Sequence, residues 1–159
     1  ERATRRGTLP VYKSDLEQTE DAMAENKGSA VIPQKYADIL EKVAFANIAT
    51  VGPNGEPQNN PVWFEWDGER FKFSQTKARQ KYKNLQREPR LAVSIIDPDN
   101  PYRYLELRGS LDEIEEDPDN AFINKMAKKY IDADEYPYHQ PGDERIVVYV
   151  TPEHATHMG

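Results

Sequence analysis

Two tight-turn signals constrain this chain more than anything else in it. Gly52-Pro53-Asn54-Gly55 carries the Asn-Gly pair of a β-hairpin, and Asp67-Gly68 marks a second reversal shortly after. Ala44 to Val51 has a strand-like pattern, a second strand runs on to Trp66, and Phe71-Lys72-Phe73-Ser74 alternates apolar and polar residues. Arg90 to Ile96 is a nearly continuous apolar strand. Beyond the loop Asp97-Pro98-Asp99-Asn100-Pro101, a long strand has Leu105, Leu107, Gly109 and Leu111 on one face and Tyr104, Glu106 and Arg108 on the other. A last strand covers about 144–150. Links this short join antiparallel neighbours, because a parallel crossover needs about a dozen residues or more.

Helical periodicity occurs between these strands. Pro33 suits a helical first turn, and Tyr36, Ile39, Leu40 and Val43 follow at i, i+3, i+4 and i+7. A short helix separates Ser74 from Arg90, and another is expected over about 118–131. Six strands with three or four helices predict a mainly β (α+β) fold: a closed, six-stranded antiparallel barrel with peripheral helices at its rim.

Residues 1–31 read as an N-terminal arm and 32–159 as the barrel domain. In the arm, the capping box Ser14-x-x-Glu17 and Gly28 as a stop frame a helix over roughly 15–27, whose large apolar residues are Leu16 and Met23. The absence of cysteine excludes disulfides, thiolate metal sites and Cys nucleophiles. No apolar run approaches the roughly 18 residues of a membrane span, so no membrane association is expected and a cytoplasmic location is the default. A net charge of −7 argues against nucleic acid as a partner, unless the basic residues share one face.

The basic residues do cluster. Lys77, Arg79, Lys81, Lys83, Arg87 and Arg90 fall within fourteen residues of this acidic chain. On a helix, Ala78, Tyr82 and Leu85 form the buried stripe, with Lys77 and Lys81 on one solvent-accessible flank and Arg79, Lys83 and Arg87 on the other. Thr76 is placed to cap this helix. Its free N–H groups, Arg79 and Lys81 then converge on an anion such as a phosphate; a simple solvated basic face is the other reading.

A second cluster is Pro57-Gln58-Asn59-Asn60-Pro61-Val62-Trp63-Phe64-Glu65-Trp66. Val62, Phe64 and Trp66 point one way, Pro61, Trp63 and Glu65 the other. One face fills the barrel; the other lines a flat ligand pocket or a subunit interface. His154-x-x-His157 lacks a third metal ligand, and the Asp97–Pro101 pattern is explained by turn chemistry rather than Ca²⁺, so no metal site is expected. No nucleophile–His–acid set is present, which leaves the catalytic residues unknown and any chemistry to a bound cofactor.

These motifs, in their order and spacing, resemble the pyridoxamine 5′-phosphate oxidase-like split β-barrel family. The match runs over about 32–154: the Ile32-Pro33 helix, Phe45 to Gln58, Pro61-Val62-Trp63-Phe64, Arg79-x-Lys81-x-x-Asn84-Leu85, Asp97 to Gly109 and Pro152-Glu153-His154. It is closest to the branch that depends on the deazaflavin coenzyme F420. The resemblance implies a homodimeric oxidoreductase with F420, or alternatively FMN, in a groove at the subunit interface, and a small-molecule substrate. It further implies that Asn60, Pro61, Val62, Trp63, Ser74, Gln75 and Thr76 contact the ring and ribityl chain while Arg79 and Lys81 hold the phosphate. Lys77 and Lys83, as spare cations, favour the longer anionic tail of F420. Arg145 to Val150 lacks the substrate motifs of true pyridoxamine phosphate oxidases, so that activity is not expected. A non-catalytic flavin or deazaflavin carrier or sensor is the alternative.

Overall fold

The hairpin turn forms as its residues dictate. Gly55 adopts φ +83°, where only glycine sits without strain, and the Gly52 N–H donates to the Glu56 carbonyl at 2.7 Å. This closes β1 (Ala46–Val51) on β2 (Pro57–Val62), with Val51 opposite Pro57 and Ala46 opposite Val62. The computed structural model describes residues 28–159, so the helix expected over 15–27 lies outside the described residues. The further strands are β3 (Glu65–Trp66), β4 (Phe71–Thr76), β5 (Arg90–Ile96), β6 (Tyr104–Glu116) and β7 (Arg145–Met158). All pair antiparallel in one sheet of order β2-β1-β5-β6-β7-β4-β3.

The mainly β, antiparallel split-barrel expectation holds, with two corrections. The sheet has seven strands rather than six, and it is not closed. Both differences arise at Trp63-Phe64, which interrupts the expected continuous strand and leaves Glu65–Trp66 paired with Lys72 and Phe71 instead. β2 and β3 are therefore the two edges of the sheet, yet only two residues separate them. Val62 and Glu65 lie within about 11 Å at full extension, so the sheet curls until its edges nearly meet and stays split there. Phe64 fills the split from within and is completely buried.

Alternation places Ile48, Phe71, Phe73, Val93, Ile95, Leu105, Leu107, Ile146 and Val148 inside the curled sheet. Burial of each aromatic or branched side chain contributes about 1.5–3 kcal/mol, and these residues form the bulk of one core. β6 and β7 are much longer than their neighbours. β7 runs to Met158, well past the expected end near 150, because its second half pairs with Tyr104 to Gly109. Register shifts at Arg108/Gly109 and Leu111/Glu113 bend this long ribbon. Gly109 is required here, since a Cβ would lie 2.5 Å from the Thr151 carbonyl oxygen.

The first expected helix is a 3-10 helix, Gln34–Glu41. Its buried residues are Tyr36, Ile39 and Leu40, as the spacing implied, whereas Val43 lies beyond its end and is exposed. The chain becomes extended at Lys42, whose ammonium group pairs with Asp97 at 2.7 Å and Asp99 at 2.9 Å. Arg103 pairs with Asp97 at 2.6 Å and with Asp38, so five charges clamp the Asp97–Arg103 loop to this helix. In β7, His154 and His157 fall at odd spacing on a strand and point to opposite faces; His157 stacks on Tyr36 at 4.3 Å.

Two α-helices complete the described fold: α1 (Gln80–Arg87) after β4, and α2 (Ala121–Ile131) between β6 and β7. α2 begins on Asp117, whose buried carboxylate accepts the Phe122 N–H at 3.1 Å. Among the described residues no helix is long and apolar enough to cross a membrane.

Candidate functional site

β4 delivers the chain to the start of α1 at a cavity of about 480 Å³. Thr76 is buried, and its carbonyl accepts the Arg79 N–H at 3.1 Å, so a turn precedes the helix. Arg79, rather than Thr76, occupies the N-cap position, and no side chain caps the first turn. The leading N–H groups of α1 are thus left to whatever enters the cavity.

Lys81 differs most from expectation. It is only 3% exposed, not on a solvent-accessible flank, and the buried face of α1 is Lys81, Asn84 and Leu85. Ala78 lies outside the helix and is exposed. Asn84 anchors that face: its amide donates to Thr50 Oγ1 at 3.0 Å, and its oxygen accepts from Gln80 Nε2 at 2.8 Å. Burial, with the Arg79 charge beside it, pushes the Lys81 ammonium down to about 8, and no carboxylate opposes the shift. A buried cation without a counter-charge, opening on a cavity, provides a site for an anion.

Three other cations of the basic run are committed elsewhere. Lys77 pairs with Glu116 at 2.6 Å, Arg87 donates to the Val51 carbonyl, and Arg90 binds Glu88. Lys77 is therefore not a spare cation, and neither it nor Lys83 lines the cavity.

The opposite wall comes from the split. Asn60, Pro61, Val62 and Trp63 line the cavity from the end of β2, facing Ser74, Gln75 and Thr76 of β4. All nine positions singled out in the sequence, Arg79 and Lys81 included, line this one cavity. Trp63 stacks on Tyr130 at 5.2 Å with planes 9° apart and meets Tyr136 edge-on, which fixes a flat indole wall. Val62 and Trp66 pack on the core around Phe64, although no single strand runs through Trp63-Phe64 and Val62 also reaches the cavity.

A third wall comes from residues outside the sequence-derived set. Tyr136, Tyr138 and Asp143, from the segment after α2, and Arg145, at the start of β7, close the cavity from the other side. Arg145 is paired with Thr76 across the ladder, and its guanidinium lies 4.5 Å from the Tyr136 ring centre. The apolar strand pattern starting at Arg145 marked the strand but not its neighbour, because the β4–β7 pairing spans about seventy residues.

With this geometry in hand, three solved structures are informative. An F420 reductase is 42% identical, with a TM-score of 0.72, covering 79% of this chain and 98% of that one. The model for the pyridoxamine 5′-phosphate oxidase family matches residues 32–159. The chain belongs to that family. Within the family it falls on the branch of the F420 reductase. General stress protein 26 from Bacillus anthracis (19% identity, TM-score 0.59, covering 79% of this chain and 92% of that one) shares the fold. So does a conserved hypothetical protein from Mycobacterium tuberculosis (23%, 0.61, covering 80% and 85%). No curated protein matches the sequence. At this level the comparisons support a flavin- or deazaflavin-binding oxidoreductase fold.

Proposed function

We propose that this protein is an oxidoreductase that uses coenzyme F420, with FMN the alternative, to reduce an electron-poor small molecule. The observation that carries the proposal is Lys81: a lysine buried at the cavity beside Arg79, with no carboxylate to neutralise it. Such a pair suits a phosphate, which the uncapped start of α1 would also favour. The flat indole of Trp63 suits a planar ring system alongside. When bound, the reduced deazaflavin or flavin supplies the hydride. The chain's own residues hold the phosphate, fix the plane of the ring and keep bulk water from its covered side. The 42% identity to an F420 reductase favours F420 over FMN.

The same reading includes a homodimer. Phe45 lines the cavity yet is 59% exposed, and Val51 and Ile96 leave further apolar surface on β1 and β5. A second copy covering this rim would complete a groove between subunits.

The test is turnover. Purified protein mixed with chemically reduced F420 and a panel of electron-poor acceptors should restore the absorbance of oxidised F420 in proportion to acceptor consumed. Binding without any turnover would instead favour a carrier or sensor.

A further inference from the structure

Among the described residues, Lys81 is a buried lysine whose side chain has neither a hydrogen bond nor an ion pair. Other lysines are committed: Lys42 and Lys77 pair with carboxylates, and the half-buried Lys129 donates to the Phe64 carbonyl. Lys81 Nζ instead lies 5.7 Å from the centre of the Phe73 ring, and the residue lines the cavity. Asp143 brings a carboxylate to the same cavity, but its neighbours are His139 and Arg145. The charge that acts on Lys81 is that of Arg79.

An amine so placed is partly unprotonated. Burial first, and then repulsion from Arg79, bring Lys81 down to about 8. At pH 7.5 about a quarter of it is then free amine, against about one in a thousand for a lysine at its ordinary value of about 10.4. A desolvated lysine beside another cation is the form in which this side chain serves as a nucleophile. The same corner attracts anions, because Arg79 and the uncapped N–H groups at the start of α1 face it.

We infer that Lys81 is a covalent modification site: in the cofactor-free protein its amine forms an imine with small aldehydes that carry a phosphate, drawn into the cavity by Arg79 and the start of α1. The amine nitrogen attacks the carbonyl carbon, a C–N bond forms as the C=O π bond opens, and the amine protons pass to the oxygen. Water then leaves as the C=N bond forms. Nothing is oxidised or reduced, and hydrolysis reverses the adduct. Aldehyde and cofactor compete for one corner, so bound cofactor protects Lys81 and the adduct keeps cofactor out. The inference shares the anion point of the proposed function but needs no bound cofactor.

The experiment treats the purified, cofactor-free protein at pH 7.5 with glyceraldehyde 3-phosphate or, separately, propanal. Sodium cyanoborohydride traps any imine, and peptide mass spectrometry locates the reduced adduct. The phosphorylated aldehyde should label Lys81 about tenfold or more faster than Lys83, an exposed lysine of the same helix. Propanal should label Lys81 more slowly, and inorganic pyrophosphate should suppress labelling by the phosphorylated aldehyde. In Arg79→Gln the two aldehydes should react at similar rates. The wild type carries the test, so the folding of a variant does not decide it. Labelling of Lys81 no faster than Lys83 overturns the inference, and so does labelling by the phosphorylated aldehyde that pyrophosphate leaves unchanged. Tight F420 binding by a protein whose Lys81 stays unlabelled overturns this inference alone. Labelling of Lys81 in a protein that binds neither F420 nor FMN supports it and overturns the proposed function.

Discussion

The Tyr130 hydroxyl accepts the Phe64 N–H at 3.1 Å and lies 2.7 Å from the Ala44 carbonyl, to which it donates. Phe64 sits where the sheet is split, so no neighbouring strand satisfies its backbone. α2 supplies the missing partners instead: Lys129 Nζ donates to the Phe64 carbonyl at 3.0 Å. Two helix side chains thus seal the gap whose outer wall is Trp63, joining the split of the barrel to the shape of the cavity. Burial pushes the Tyr130 phenol up to about 12, so it stays protonated and able to donate across the physiological range.

Tyr130→Phe should therefore destabilise the protein by about 1–3 kcal/mol, because two buried backbone groups lose their partner. Urea denaturation measures this. A change within a few tenths of a kcal/mol would mean that water or a backbone shift replaces the hydroxyl.

Lys81 makes anion binding depend on pH. Its ammonium titrates near 8 in the ligand-free protein, and an anion would stabilise the charged form, so binding takes up a proton. Affinity for F420 should fall as pH rises above about 8. In Lys81→Arg, which stays charged, the fall should disappear; a fluorescence titration over pH 6.5–9.5 checks both.

Asp97 should govern acid stability. The hydrogen bond from Lys42, then the Asp99 N–H and Arg103, hold its carboxyl well below the usual carboxylate range. Its contribution is complete above the unfolded value of about 3.9 and is lost as pH falls toward the folded one. Asp97→Asn should be less stable than the wild type at pH 7 and show a shallower loss of stability below pH 4, read by thermal unfolding against pH.

Gly109→Ala should disrupt the β6–β7 ribbon, because the added Cβ would meet the Thr151 carbonyl oxygen at 2.5 Å. A loss of about 1–3 kcal/mol is expected for such overpacking, and a neutral result would show that the ribbon yields.

Local pattern revealed much of this architecture. The Asn-Gly turn and the alternation at Phe71 and Phe73 read directly onto β1, β2 and β4, and Arg90–Ile96 is β5 to the residue. The nine site positions share a cavity because two short segments, 60–63 and 74–81, supply them. The split at Phe64 was not legible, since its backbone is satisfied by Tyr130, sixty-six residues away. Lys81 looked like surface because helical phase gives the angle around an axis but not what packs over it. Arg145 stayed hidden for the same reason as the split: its neighbours Ser74 and Tyr136 meet it only when β4 and β7 pair.

Arg79 and Lys81 are proposed to hold the phosphate of a deazaflavin or flavin. Fluorescence titration of F420 and FMN into the wild type and the Arg79→Ala/Lys81→Ala double variant tests it most directly. The wild type should bind F420 more tightly than FMN, and the variant should lose several kcal/mol (about a hundredfold or more in affinity). Equal affinity of the two proteins for F420 would contradict it.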